Sequence, residues 1–338
     1  MIGTRIAHPP HRSTRGSECL ERSREMNDSA ALARSITWRS SKQSYLTAVL
    51  LADRDLVDDC LRAYAYFRWA DDRIDRADSD SDDRILFLRR QKALTERCYR
   101  CERPADLTPE EEMLADLIAH DRGKPDGLQS FIRNFFWVLE FDALRKGRAV
   151  SAQELTAYSA HLAQAVMDGF QYFIGNSCAY PQSPDRTLAV LGAHSTHMLR
   201  DMREDLPCGY VNIPGEILPS PALCADDLDG EFFRTWVRQE AGRARRLLRD
   251  GKRYIDSLDV LRCKLAGIWY CARFERVLDL IERDGYRLRM DYPERRNLAT
   301  WMHIAWLTIP VTANHCLHRI LKSGARIFSK PEQNPGAT

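Results

Sequence analysis

The sequence has no run of about 18 uninterrupted apolar residues, the length a helix needs to cross a bilayer. It has no apolar signal core near Met1. It has almost no net charge either: 50 Lys and Arg against 48 Asp and Glu leave +2 over 338 residues, which gives no electrostatic footprint for nucleic acid. No G-x-G-x-x-G opens a helix after a strand, so a dinucleotide site is not indicated. Alternating β-branched runs are missing, and no repeat recurs at a fixed period. The ten cysteines are scattered, with one isolated C-x-x-C at Cys98 and Cys101, and these read as reduced thiols of a cytoplasmic protein.

What is present is ample apolar content, 44%, enough for a sizeable core. Helical spacing dominates. Leu46, Val49, Leu50, Val57, Leu61, Tyr64 and Phe67 fall three and four apart, as do Ile268, Cys271, Phe274, Leu278 and Ile281. Gly and Pro cluster at the breaks, in Arg103–Pro109, Asp121–Gly127, Tyr180–Pro184 and Pro207–Pro221. The expectation is one all-α domain over residues 31–328, between a disordered leader, 1–30, and a disordered tail, 329–338. The apolar stretch from Trp301 to Leu317, interrupted by His303, Pro310, Asn314 and His315, reads as a buried helix.

Two acidic stripes carry the chemistry. In Tyr64-Ala-Tyr-Phe-Arg-Trp-Ala-Asp-Asp-Arg-Ile-Asp75, Asp71 and Asp75 lie one helical turn apart, and Arg68 pairs in spacing with Asp72. In Leu199-Arg-Asp-Met-Arg-Glu-Asp205 the spacing returns at Asp201 and Asp205, with Glu204 between them and His194 and His197 upstream on the same stripe. Like charges at this spacing cost a helix a few tenths of a kcal/mol unless a cation lies between them. Hard oxygen ligands on two facing helices suit Mg²⁺, which keeps waters and bridges to substrate phosphates. The chemistry favoured is departure of a diphosphate, with Arg68, Arg73 and Arg200 as helpers. The pattern alone leaves a solvated acidic face open beside this reading. A di-iron bundle would need Glu-x-x-His on two helices, and no such pair stands beside either motif. A helical partner subunit without activity fits poorly with intact aspartates in both motifs.

These residues resemble the squalene/phytoene synthase family. The first motif is similar to its Y-A-x-x-R-x-x-D-D-x-x-D, here Tyr64, Ala65, Arg68, Asp71, Asp72 and Asp75. The second is similar to L-R-D-x-x-E-D with a glycine and a short turn, here Leu199–Asp205, Gly209 and Asn212–Pro214. Ser41 and Lys42 match a segment upstream, Phe141-Asp142 and Glu154-Leu155 one between the motifs, and Leu278, Ile281, Gly285 and Tyr286 the closing helix. The resemblance implies a single-domain isoprenoid synthase fold with a central cavity between helices. It implies Mg²⁺ on Asp71, Asp75, Asp201 and Asp205, with Arg68, Ser41 and Arg200 at the diphosphate. The partners implied are an allylic prenyl diphosphate and a small-molecule acceptor; hydropathy and charge, independently, lead to the expectation of no stable membrane anchor and no nucleic acid.

The departures point to a branch. Where the family has Asn and Gln before the second motif, this chain has His197 and His194. The V-A-G-x-V-G stretch reads Leu162-Ala-Gln-Ala-Val-Met167, so Gln164 and Met167 replace glycines and add bulk toward the expected tunnel. Phe274 stands where the closing helix has a Tyr. Together these changes affect the surfaces that manage a second prenyl diphosphate. They resemble the divergent branch that transfers dimethylallyl to a hydroxylated carbazole in natural-product biosynthesis, with His194 or His197 orienting a phenol or taking its proton. Head-to-head condensation of two farnesyl or geranylgeranyl diphosphates is the alternative.

Overall fold

The structure is a computed structural model, and it describes residues 28–76, 80–121, 127–175, 178, 180–218 and 225–328. Most of the expected leader and all of the expected tail lie outside these residues. Among the described residues there is no strand, and the one sheet-like contact is an isolated bridge between Val150 and Pro214.

Eleven helices account for nearly everything else. Helix α1 covers residues 28–40, followed by α2 (Lys42–Leu51), α3 (Val57–Ile74), α4 (Ser81–Tyr99), α5 (Pro109–Ala119) and α6 (Gly127–Arg145). Then come α7 (Ala152–Phe173), α8 (Leu188–Asp205), α9 (Glu231–Ser257), α10 (Leu261–Arg283) and α11 (Leu298–Phe328). Local chemistry sets several of the starts. Thr108 with Glu111 and Ser151 with Glu154 form capping boxes, each satisfying two N–H groups that a helix start leaves orphaned. Asp80 caps α4 by accepting from the Asp83 N–H.

One apolar core joins α3 to α4, α5 and α6 around Leu61, Tyr66, Phe67, Met113, Leu117 and Phe136. A second joins α8 to α9 and α10 around Leu199, Leu248, Cys271, Val277 and Leu278. Helix α7 packs on both α6 and α8 and so couples the two. The α8–α9 contact is close because both sides use glycine. A Cβ on Gly192 would stand 2.8 Å from the Ala244 carbonyl oxygen, and one on Gly251 would stand 2.2 Å from the Ala189 backbone nitrogen. This closeness fixes the helix that carries the second acidic motif.

The helical spacing from Leu46 to Phe67 falls on α2 and α3, with a break at residues 52–56 between them, and Val49 and Leu50 are exposed. One expectation is corrected. The helix through Trp301–Leu317 is not buried. One face, including Ile304 and His315, packs inward, while Trp306 is 71% exposed and Ile309 61%. Apolar composition alone does not distinguish a core helix from one apolar on both faces.

Candidate active site

The first motif forms the last turns of α3. Arg68 Nη2 donates to Asp72 Oδ1 at 2.5 Å and lies 3.7 Å from Asp71, so the pair expected from spacing exists. Asp71 keeps 41% of its side-chain surface, yet protein atoms crowd its carboxylate. Its pKa is pushed up to about 7, first by desolvation, then by the charges of Asp75 and Asp142, against Arg68. Asp75 closes the helix, and Tyr210 donates its hydroxyl to Asp75 Oδ1 at 2.9 Å.

The second motif ends α8. His197 Nε2 lies 2.7 Å from Asp201 Oδ2, and Arg200 is bonded to both oxygens of the same carboxylate. Burial acts to raise the Asp201 pKa, but His197 and Arg200 overcome it and hold the carboxyl well below the usual range. Asp205 behaves oppositely. Desolvation, then Asp201, push it up to about 7, with a smaller push from Asp75, against Arg145 and a 2.8 Å bond from Asn212. Asp71 and Asp205 therefore both carry like-charge stress with too little cation nearby.

Between the motifs lies a network that motif reading did not assign. Arg145, buried at the end of α6, donates to Asp142 at 2.6 Å and to Asn212 Oδ1 at 2.8 Å. Asn212 passes the connection to Asp205, and Asp142 accepts from the Tyr158 hydroxyl at 3.0 Å. The guanidinium also sits over the rings of Tyr210, at 4.9 Å, and Tyr158, at 5.0 Å. Asp142 and Asn212 stand in segments that match the family, where they carried no individual role. The available signal was an Asp and an Arg three apart at the end of a helix rich in aromatic and aliphatic residues, Phe131 to Arg145.

His194 is distinct from His197. It is buried, it meets the Tyr158 ring edge-on at 5.1 Å, and neither ring nitrogen has a hydrogen-bond partner. Desolvation, then His197 and Arg145, push its pKa down to about 3, so the imidazole is neutral. Phe274 lies 6.5 Å from the His197 ring and 5.0 Å from Tyr270.

The remaining expected positions are engaged elsewhere. Ser41 caps α2, its hydroxyl oxygen accepting from the Ser44 N–H at 3.2 Å. Gln164 donates to both oxygens of Asp168, which also binds Ser130 and Arg186. Met167 is buried in a cluster with Ala163, Val190 and Tyr254.

A divalent cation fits this donor set by chemistry, because two crowded carboxylates with pKa near 7 call for positive charge. Among the described residues, however, no three His, Cys, Asp or Glu side chains converge as a ready-made ligand cluster. The arrangement suits an ion that completes its shell with waters and phosphate oxygens.

The family comparisons agree with this architecture. The sequence model of squalene/phytoene synthase matches residues 38–301. Among solved structures, the squalene synthase HpnC of Alicyclobacillus acidocaldarius aligns with a TM-score of 0.60 at 19% identity, covering 78% of this chain and 97% of that one. At that identity the likeness speaks for the all-α isoprenoid synthase fold. No curated protein sequence matches. With both acidic motifs, the helices that carry them and the segment between them inside the matched region, the chain belongs to the squalene/phytoene synthase family of prenyltransferases.

Proposed function

We propose that this prenyltransferase ionises dimethylallyl diphosphate and transfers the prenyl group to a small aromatic acceptor such as a hydroxylated carbazole, with Mg²⁺ as cofactor. The observation that supports this reading is His194, neutral, buried and without a hydrogen-bond partner. Leaving buried polar atoms unsatisfied costs about 1–3 kcal/mol each, an expense that makes sense when a ligand supplies the missing bonds. A neutral imidazole offers one donor and one acceptor, which suits a phenol. A second diphosphate would call for cations.

In this proposal Asp71, Asp75, Asp201 and Asp205 hold Mg²⁺, while Arg68, Arg200 and Ser41 bind diphosphate oxygens. The metal supplies charge neutralisation on the departing diphosphate. Arg145 is tied to Asp142 and Asn212 and keeps the Tyr158 and Tyr210 rings in place. Those rings offer π-faces to an allylic cation and help exclude water. His194 accepts the hydrogen bond of the acceptor hydroxyl and so sets which ring carbon meets the cation. A new C–C bond forms there, and the ring proton then leaves. An arenium is acidic enough to give that proton to the departed diphosphate, since the hydroxyl already occupies the one acceptor nitrogen of His194.

The test is a product assay by mass spectrometry. Purified protein with Mg²⁺ meets dimethylallyl, geranyl, farnesyl or geranylgeranyl diphosphate, each with and without a hydroxycarbazole. A prenylated carbazole from the short donor, with no hydrocarbon from the long ones, is the expected result. The second reading, head-to-head condensation of two farnesyl or geranylgeranyl diphosphates to squalene, dehydrosqualene or phytoene, is favoured by the family match. A C30 or C40 hydrocarbon from one donor alone establishes it. Met167→Gly bears on donor size: it is expected to lengthen the accepted prenyl chain, and an unchanged preference in the same assay removes the tunnel argument.

A further inference from the structure

Phe274 brings no hydroxyl to the cavity, but Tyr270 stands one helical turn before it on α10. The Tyr270 ring meets Phe274 at 5.0 Å and, across to α7, meets Phe170 edge-on at 5.9 Å. It borders both the core of α8, α9 and α10 and the cluster that holds Met167. Phenols in such surroundings normally find a partner for the hydroxyl. Tyr180 and Tyr254, in the Met167 cluster, donate to the Ile174 and Pro181 carbonyls. Tyr158 and Tyr210, near the acidic motifs, donate to Asp142 and Asp75. Among the described residues the Tyr270 hydroxyl has no such partner.

This hydroxyl is not turned to open water. Tyr270 is half-buried, and burial, then Cys271, pushes its pKa up against Arg273 and Arg200. A side chain that keeps surface while protein atoms crowd its polar end lines an enclosed space. Arg200 belongs to the second acidic motif, so the hydroxyl lies within electrostatic reach of that motif. The ring contacts place Tyr270 and His194 along one aromatic-walled stretch. His194 meets α7 at Tyr158, and Tyr270 meets it at Phe170, about 18 Å further along the helix axis. Phe274 and His197, 6.5 Å apart, join the two along α10 and α8. A flat three-ring molecule with a polar group at each end suits such a stretch. A prenyl chain has nothing to offer either group, and would leave both unpaired.

We propose that Tyr270 determines acceptor specificity: its hydroxyl oxygen accepts a hydrogen bond from the ring N–H of the aromatic acceptor, while His194 holds the acceptor's hydroxyl. This rests on the aromatic-acceptor reading above and adds the second point of attachment. Two bonds at the ends of a rigid ring system fix its rotation, so that one ring carbon meets the allylic cation.

The experiment pairs a change in the protein with a change in the acceptor. Wild type and Tyr270→Phe are assayed with Mg²⁺, dimethylallyl diphosphate and either a hydroxycarbazole or the matching hydroxyfluorene. The fluorene keeps three rings and the hydroxyl but has CH₂ in place of N–H. KM for the acceptor is the readout, because the carbazole nitrogen also activates the ring and that effect falls on kcat. Wild type is expected to show a KM about tenfold lower for the carbazole, and Tyr270→Phe to treat the two alike within about twofold. Tyr270→Phe keeps the ring and its packing, and an unchanged melting temperature checks the fold. A structural role would raise KM for both acceptors together, so equal discrimination by both proteins overturns the proposal and leaves the aromatic reading standing. Wild type that does not distinguish the two acceptors overturns it without any variant. Absence of prenylated product from either acceptor removes the aromatic reading, and this proposal falls with it.

Discussion

Tyr210 donates its hydroxyl to Asp75 at 2.9 Å, and this bond ties the end of the first acidic motif to the turn that follows the second. Asp75 is exposed, so water can replace the donor at modest cost. Tyr210→Phe is expected to lose about 1 kcal/mol of stability, but to lower prenyl transfer more than that loss explains. Urea unfolding beside steady-state turnover at several Mg²⁺ concentrations separates the two effects. A variant with wild-type Mg²⁺ dependence would mean that the bond serves the fold alone.

Arg145 and Asp142 form a buried pair, and removing one partner strands the other. Arg145→Met is expected to cost about 3–5 kcal/mol, while Arg145→Met with Asp142→Leu recovers at least half of it. Activity should stay low in the double variant, because Asn212 and the two tyrosine rings have lost the guanidinium that organises them. A double variant that regains turnover along with stability would reduce the pair to packing.

His194 makes a pH-dependent contribution whose sign follows from burial. Its folded pKa, about 3, lies below the ordinary 6.5, so between these values the unfolded chain binds a proton that the folded chain refuses. Stability from this group is present above pH 6.5 and drains as pH falls toward 3. Relative to His194→Gln, the wild type should lose up to about 1.4 kcal/mol per pH unit in that window. Urea titrations at several pH values give the slopes, and parallel slopes would mean that the imidazole is not desolvated.

Asp205 has the opposite sign. With its folded pKa near 7 against an ordinary 3.8, the folded state binds the proton more tightly, so this group's penalty is absent below pH 3.8 and fully felt above 7. In metal-free protein at pH 8, Asp205→Asn is expected to gain about 1 kcal/mol, with a smaller gain at pH 5.5. Mg²⁺ should raise the wild-type melting temperature at pH 8 and do less for the variant. Calorimetry with and without chelator reads all of this, and equal Mg²⁺ stabilisation of both proteins would take Asp205 out of the metal's reach.

Much of the architecture was legible before any coordinates. Apolar residues three and four apart, breaks rich in Gly and Pro, and the lack of alternation sufficed for an all-α chain, since helix formation is read locally. The acidic motifs were legible for the same reason: Asp71 with Asp75, and Asp201 with Asp205, share a face by helical period alone. The pairing of Arg68 with Asp72 followed from spacing too.

Tertiary structure decided everything that depends on elements meeting. Arg145 and Asn212 are 67 residues apart, and nothing in either neighbourhood signals that one will donate to the other and connect Asp142 to Asp205. His194 and His197 look equivalent on one helical stripe, yet packing against Tyr158 buries the first without partners, while the second stays half exposed on Asp201. Helix α11 shows the same limit from the other side, because composition reports how apolar a helix is but not whether a neighbour covers it. Periodicity is a property of the chain; burial, pKa and partnership are properties of what the rest of the chain brings against it.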